Sequence, residues 1–380
     1  VSLQHYGVIL LVGALVTLIV TPLVRRFALA RGLVDFPGGR KVHTTPIPRL
    51  GGVGIYAGVL AAVGVQSWGE LYATPPWGGA ITGGGTAETR VIGVLIGMTL
   101  VFIVGLIDDL VTLSPGWKFA GQIVAASVVV GSGLRIEYIG DPFSGGLIAL
   151  GLLSIPITML YILGFTNVIN LIDGLDGLAA GVSAIAAASL LVLAAQGNRL
   201  DAAAFAVAVI GACVGFLRYN SNPASIFMGD SGALFLGFTL ATISLMGVMK
   251  SSAAIALAVP LLIIGVPIFD TASAIVRRIM HKRPIQEADK GHIHHRLLGR
   301  GFNQRQTVFI IYIWSIALAV GGYAVRYAPG LMKALTFAVL FVITGFMAYW
   351  LGLFEAVGHI DEQRTVPNLQ GQSRHSQKES

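Results

Sequence analysis

Carboxylates, amides and histidines gather in this chain where long apolar runs end. Gly105-Leu-Ile-Asp108-Asp109 closes one run, and Asn167, Asn170, Asp173 and Asp176 recur at every third residue after another. Phe227-Met-Gly-Asp230-Ser-Gly opens a third run, and His292-Ile-His294-His295-Arg296 lies in a basic stretch further on. Charge inside or beside hydrocarbon is costly, so a chain poor in charge that places it there is using it. Acids, amides and imidazoles of this kind suit one chemistry above others: holding a hard cation and the phosphate oxygens it bridges.

Each group also has a plainer reading. Adjacent helical residues point about 100° apart, so one of Asp108 and Asp109 could face a metal while the other faces a substrate proton or Lys118. As simple helix-end solvation the pair would be misplaced, because a helix C-terminus disfavours acids. The three-residue spacing from Asn167 to Asp176 keeps side chains on one helical face, and Gly174, Gly177 and Gly181 let a backbone or flat ligand come close. Interhelical hydrogen bonding would explain the asparagines but not two acids.

Asp230 could be no more than a helix N-cap. Beside the other acids it is the strongest candidate for a Mg²⁺ ligand, since Mg²⁺ takes one or two carboxylates and fills its shell with water and phosphate oxygens. Phe227 could stack on a base. The His292, His294, His295 spacing matches no usual zinc signature, and a cationic, hydrogen-bonding cradle for a diphosphate fits it better than a solvated basic loop. Lys41-Val-His43 through Arg49 to Gly52 is held extended by Pro46 and Pro48, and its cations could grip a phosphate or nucleotide. For Asp270, inside an apolar run, pairing with a cation and catalysis are equally open.

The elements that must position these groups follow from composition. Of 380 residues, 55% are hydrophobic and only 11% charged, and the mean hydropathy is +0.79. Such values exclude an ordinary soluble domain, and the runs are too long and too uniformly apolar for barrel strands. The expected fold is all-α, a polytopic membrane helix bundle. Apolar runs predict spans near 7–24, 51–68, 91–107, 118–134, 147–166, 178–196, 202–217, 232–249, 253–275, 307–327 and 332–353, about eleven transmembrane helices. An odd number puts the termini on opposite sides. Nineteen of the 25 Lys and Arg fall on one set of connections, which predicts the N-terminus outside and the C-terminus cytoplasmic. Five of the six motif carboxylates then fall on the cytoplasmic face, with Asp270 deeper.

The remaining features are less specific. Residues 1–355 read as one integral membrane domain and 356–380 as a polar, disordered cytoplasmic tail. The first run is followed by arginines rather than a small-residue cleavage site, so it reads as a retained helix. The one cysteine, Cys213, lies in an apolar run, leaving no intramolecular disulfide and no thiolate metal site. The net charge of +7 suits anionic lipid head groups, and no nucleic-acid partner is expected. Pro260 and Pro267 are expected to bend the ninth span and open a path from the site to lipid.

In their order, these motifs resemble the polyprenyl-phosphate N-acetylhexosamine-1-phosphate transferase family. The match runs through Lys41-x-His43 to Gly52, Gly105 to Asp109, Asn167 to Gly177, Phe227 to Gly232, Pro267-Ile-Phe-Asp270-Thr and His292 to His295, covering roughly residues 5–350. The resemblance implies eleven transmembrane helices in a bacterial plasma membrane, a cytoplasmic active site, Mg²⁺ (or Mn²⁺) dependence and a homodimer. It implies transfer of N-acetylhexosamine-1-phosphate from a UDP-sugar to undecaprenyl phosphate with release of UMP, a step that initiates envelope polysaccharide or teichoic acid linkage synthesis. The interrupted histidine block looks like the GlcNAc branch, while the related phospho-MurNAc-pentapeptide translocases have three consecutive histidines.

Carried onto this chain, the resemblance implies Mg²⁺ at Asp230 with Asp109 or Asp173. Asp108 is then the base or orienter of the acceptor phosphate. Asn170 and Asp173 lie on the nucleotide side, Asp176 and Phe227 at the uracil, and Lys41 in the nucleotide pocket, with Asn167 and His43 as further substrate-binding residues. The block His292, His294, His295 and Arg296 serves the diphosphate and sugar, with His294 counted among the catalytic residues. Two rivals remain: the phospho-MurNAc-pentapeptide reaction, and, from another class, an ion-coupled transporter built on intramembrane carboxylates.

Overall fold

A computed structural model describes residues 3–36, 45–72, 85–140, 146–248, 258–280 and 291–353. Lys41, His43, the glycine-rich 73–84 connection, the start of the expected ninth span and the 356–380 tail lie outside the described residues.

The chain folds as an all-α bundle. Its helices are α1 (Leu3–Ala30), α2 (Gly52–Tyr72), α3 (Gly85–Val111), α4 (Pro115–Gly131), α5 (Ser154–Ile172), α6 (Leu178–Gln196) and α7 (Leu200–Asn220). They continue with α8 (Gly229–Val248), α9 (Ala258–Ile263), α10 (Gly265–Met280), α11 (Ile293–Gly299), α12 (Gln304–Tyr327) and α13 (Gly330–Leu351). Among the described residues, 9 helices are long and apolar enough to cross a membrane. Two further expected spans differ: α4 has only 17 residues, and the ninth is split into α9 and α10. The break at Ile264 follows from the prolines on either side of it, because Pro267 has no N–H to give the turn before it. Ile264 N–H still reaches the Pro260 carbonyl at 3.3 Å, and Ile268 N–H reaches Ile264 at 3.1 Å.

Helix ends carry local reasons. Pro115 occupies the first turn of α4, where its missing N–H costs nothing. Asn303 opens α12 with a capping box, its side chain accepting from Gln306 N–H while Gln306 returns a bond to the Asn303 N–H. Two small antiparallel pairings were not expected from the sequence: β1 (Val34–Asp35) with β2 (Ile47–Pro48), and β3 (Tyr138–Gly140) with β4 (Leu147–Ala149).

The core gathers on α8, which packs against α2, α3, α5, α6 and α7. Its span is 89% buried, whereas that of α13 is 11% buried, so α8 is central and α13 peripheral. Glycines permit the closest of these approaches. A Cβ on Gly52 would stand 2.1 Å from Gly232 N, and one on Gly105 would stand 2.6 Å from the Asp230 carbonyl oxygen. The end of α3 that carries Asp108 and Asp109 therefore lies directly on the start of α8.

Candidate active site

Helix ends from α3, α5, α8, α11 and α12 surround a cleft of about 600 Å³. Its walls include Asp109, Asn170, Asp173, Asp176, Phe227, Asp230, His294 and His295, residues spread over nearly 190 positions of sequence and brought together only by packing.

The floor is the start of α8. Gly229 turns into the helix at φ +72°, a left-handed conformation, and a Cβ there would meet the Asp109 carboxylate at 2.5 Å. Asp109 accepts the Asp230 N–H at 2.8 Å and the Ser231 N–H at 3.0 Å, so an acid from α3 caps α8 from outside. That frees the Asp230 carboxylate from the plainer role of N-cap to turn elsewhere. It accepts from the Asn170 amide at 2.5 Å and pairs with Lys118 at 2.8 Å. Lys118 also reaches Asp108 at 3.0 Å, and Asp108 accepts the Leu113 N–H at 2.6 Å. Asp108 thus stands behind the cleft wall, joined to it through Lys118, while Asp109 lines it.

The loop after α5 forms one side. Asp173 is half-buried, and its carboxylate meets no hydrogen-bonding or ion-pair partner among the described residues. Loss of water, then the charges of Asp230, Asp109 and Asp176, push its carboxyl up to about 7. Asp176 accepts from the Asn222 amide at 2.9 Å and the Ala224 N–H at 3.0 Å, and Asn222 also donates to Gln304 at 2.7 Å. Asn167 lies a turn back from the cleft, paired with Gln122 at 2.7 Å.

The histidine block divides. Asp270 accepts the Ile293 N–H at 2.8 Å and contacts His292 Nδ1 at 3.0 Å, so it caps α11 and turns His292 inward. Arg296 is buried, bonded to the Gly291 carbonyl at 3.0 Å and the Leu351 carbonyl at 3.3 Å. His294 and His295 reach the cleft. His294 lies over Gly174, where a Cβ would stand 2.8 Å from its Nε2. Burial, then the neighbouring His295, hold its imidazole down to about 3, partly offset by Asp270. At neutral pH it is a neutral hydrogen-bonding group, which narrows the cationic cradle expected of the block.

Sequence reasoning passed over Asp35, Asn220, Asn222 and Gln304, which also line the cleft. No spacing rule would have found them, since they come from β1, from the end of α7 and the turn after it, and from the start of α12. Arg49, met in the sequence only as one of a run of cations, lines it too.

No three His, Cys, Asp or Glu side chains among the described residues form a metal cage. A Mg²⁺ site asks for less, one or two carboxylates completed by water and phosphate. Asp230 and the unpartnered, mutually repelled Asp173 fit that demand. Asp109 is committed to two backbone N–H groups and fits it less well.

Similarity to known proteins agrees with this geometry. Residues 91–248 match the model of glycosyl transferase family 4. A Bacillus subtilis protein named "Probable undecaprenyl-phosphate N-acetylglucosaminyl 1-phosphate transferase" is 38% identical, over 90% of this chain and 91% of its own. The decaprenyl-phosphate N-acetylglucosaminephosphotransferase of Mycolicibacterium smegmatis is 36% identical over 90% of this chain and 87% of its own. An Escherichia coli K12 undecaprenyl-phosphate alpha-N-acetylglucosaminyl 1-phosphate transferase is 26% identical over 85% of each. The chain belongs to this family of membrane-embedded sugar-phosphate transferases. Membership fits sugar-phosphate transfer and does not fit a carboxylate-based transporter.

Proposed function

We propose that the chain transfers N-acetylglucosamine-1-phosphate from UDP-GlcNAc to a polyprenyl phosphate, undecaprenyl phosphate above all, releasing UMP. The observation that carries this reading is the cleft itself, where Asp230, Asn170, Asp173, Phe227 and His294 converge at the end of an apolar bundle. Attack of a phosphate on a diphosphate joins two anions, so alignment and charge neutralisation matter more than covalent chemistry.

In this reading Asp230 and Asp173 hold Mg²⁺, which when bound would offset charge on the diphosphate and the departing UMP. Asn170 fixes the Asp230 carboxylate, and Asp109 fixes the helix that carries it. Phe227 offers a face to uracil, and Asp176, held by Asn222 and Ala224, lies on the nucleotide side. His294 donates or accepts a hydrogen bond at the sugar or diphosphate as a neutral imidazole. Asp108, through Lys118, orients the acceptor phosphate.

The bias of Lys and Arg supports a cytoplasmic cleft in a bacterial plasma membrane, with the N-terminus outside. The break between α9 and α10 supports a lateral path for the isoprenoid tail. A homodimer and an initiating role in envelope polysaccharide or teichoic acid linkage synthesis complete the proposal.

Purified protein with UDP-GlcNAc, undecaprenyl phosphate and Mg²⁺ should release UMP. No UMP from UDP-GlcNAc, but release from UDP-MurNAc-pentapeptide, would move the chain to the peptidoglycan reaction. Full activity in Asp230→Ala would overturn the metal assignment.

A further inference from the structure

We infer that Arg49 is a donor-binding residue, the group that takes the diphosphate of the uridine nucleotide; this deepens the transfer reading and rests on it. The backbone around Arg49 is pinned on two sides. Its own N–H donates to the Leu33 carbonyl at 3.3 Å, and it pairs as a parallel bridge with Phe227. Phe227 N–H donates to Pro48 at 2.8 Å, Gly51 N–H donates to Phe227 at 2.9 Å, and Gly52 N–H donates to Met228 at 2.8 Å. This ladder fixes Arg49 in register with Phe227, three residues before Asp230.

The side chain faces an unusual balance of charge. Five aspartates line the cleft, yet among the described lining residues Arg49 is the one Lys or Arg. Its Nε is buried and has no hydrogen-bond partner among the described residues. A guanidinium N–H shut away from water without an acceptor is costly, so the site is complete only when a ligand supplies one. The planar fork matches phosphate oxygens two at a time.

Position decides between the two phosphates of the reaction. Arg49 directly follows β2 and is bridged to Phe227, the residue whose ring is offered to the base. Lys118, on α4, is not among the lining residues and is already engaged by Asp108 and Asp230. A nucleotide stacked on Phe227 places its diphosphate beside Arg49, leaving Lys118 to the acceptor side.

The test is UDP binding to the detergent-purified full chain by calorimetry, without acceptor, for wild type, Arg49→Gln and Arg49→Lys. Steady-state KM values for UDP-GlcNAc and undecaprenyl phosphate are measured alongside. Loss of one charge-assisted bidentate contact should weaken UDP about 10- to 100-fold in Arg49→Gln, with a smaller loss in Arg49→Lys and an unchanged acceptor KM. An unchanged acceptor KM also shows that the variant is folded. Equal UDP affinity in wild type and Arg49→Gln, or a rise confined to the acceptor KM, would overturn the assignment and leave the transfer reading standing. A wild-type protein that binds no UDP would overturn both.

Discussion

Lys118 Nζ lies 2.8 Å from the Asp230 carboxylate, although the two residues are carried on different helices, α4 and α8. With Asp108 at 3.0 Å on its other side, the ammonium is what lets two carboxylates stand close at the cleft wall. Removing it leaves them in mutual repulsion, and Asp230 would turn away from the Asn170 amide. Lys118→Met should therefore lower kcat about 10- to 1,000-fold while the protein still purifies folded, read as UMP release against a melting curve. A variant with wild-type turnover would remove Lys118 from the site.

Asp109 has a different part, because both of its oxygens are spent on the first N–H groups of α8. Asn at this position can accept with its oxygen but turns an NH₂ toward the other donor. Asp109→Asn should cost roughly 1–3 kcal/mol of stability, seen as a lowered Tm, together with lost activity. Lost activity at an unchanged Tm would point to direct contact with substrate or metal instead.

Asp173 sets a pH dependence whose sign can be worked out. Its carboxyl titrates near 3.8 unfolded and at about 7 folded, so between those values the folded state holds the proton more tightly. Its contribution to stability is full below about pH 4 and is lost as pH rises toward 7. Asp173→Asn should flatten that part of the cation-free Tm profile. A cation bound at Asp173 must displace the proton, so Mg²⁺ affinity should fall about tenfold per unit as pH drops below 7. Affinity independent of pH between 6 and 8 would place the cation elsewhere.

Gly105→Ala tests the packing beneath the site. The added Cβ would stand 2.6 Å from the Asp230 carbonyl oxygen and 2.6 Å from Ser231 Cα, with backbone rather than a flexible side chain in its way. Separating α3 from α8 should cost about 1–3 kcal/mol and withdraw Asp109 from its cap. Gly116→Ala, at a position with open space around it, should leave Tm and turnover near wild type.

Much of this protein was legible along the chain because the membrane imposes one rule on every span. Backbone polar groups must be satisfied internally, so a long apolar run is a helix, and its length and flanking charges give its ends. The motif acids stood out for a related reason, since charge is rare in such runs. Asp230, Asp173 and His294 could be nominated from residue type and spacing alone. Their partners could not. Lys118 could be named as a partner for one of Asp108 and Asp109, but that Asp109 caps α8 and leaves Asp230 free, that Lys118 reaches Asp230 as well, and that His292 and Arg296 turn inward while His294 and His295 reach the cleft are outcomes of helix against helix. Contacts of that kind span dozens of residues and obey no local period; glycines at 52, 105 and 229 set how closely the backbones meet. The sequence by itself determined a helical membrane bundle with a charged end, because hydrocarbon leaves the backbone no alternative. Only the tertiary structure decided which of those charges face one another and which, like Arg49, face the cleft.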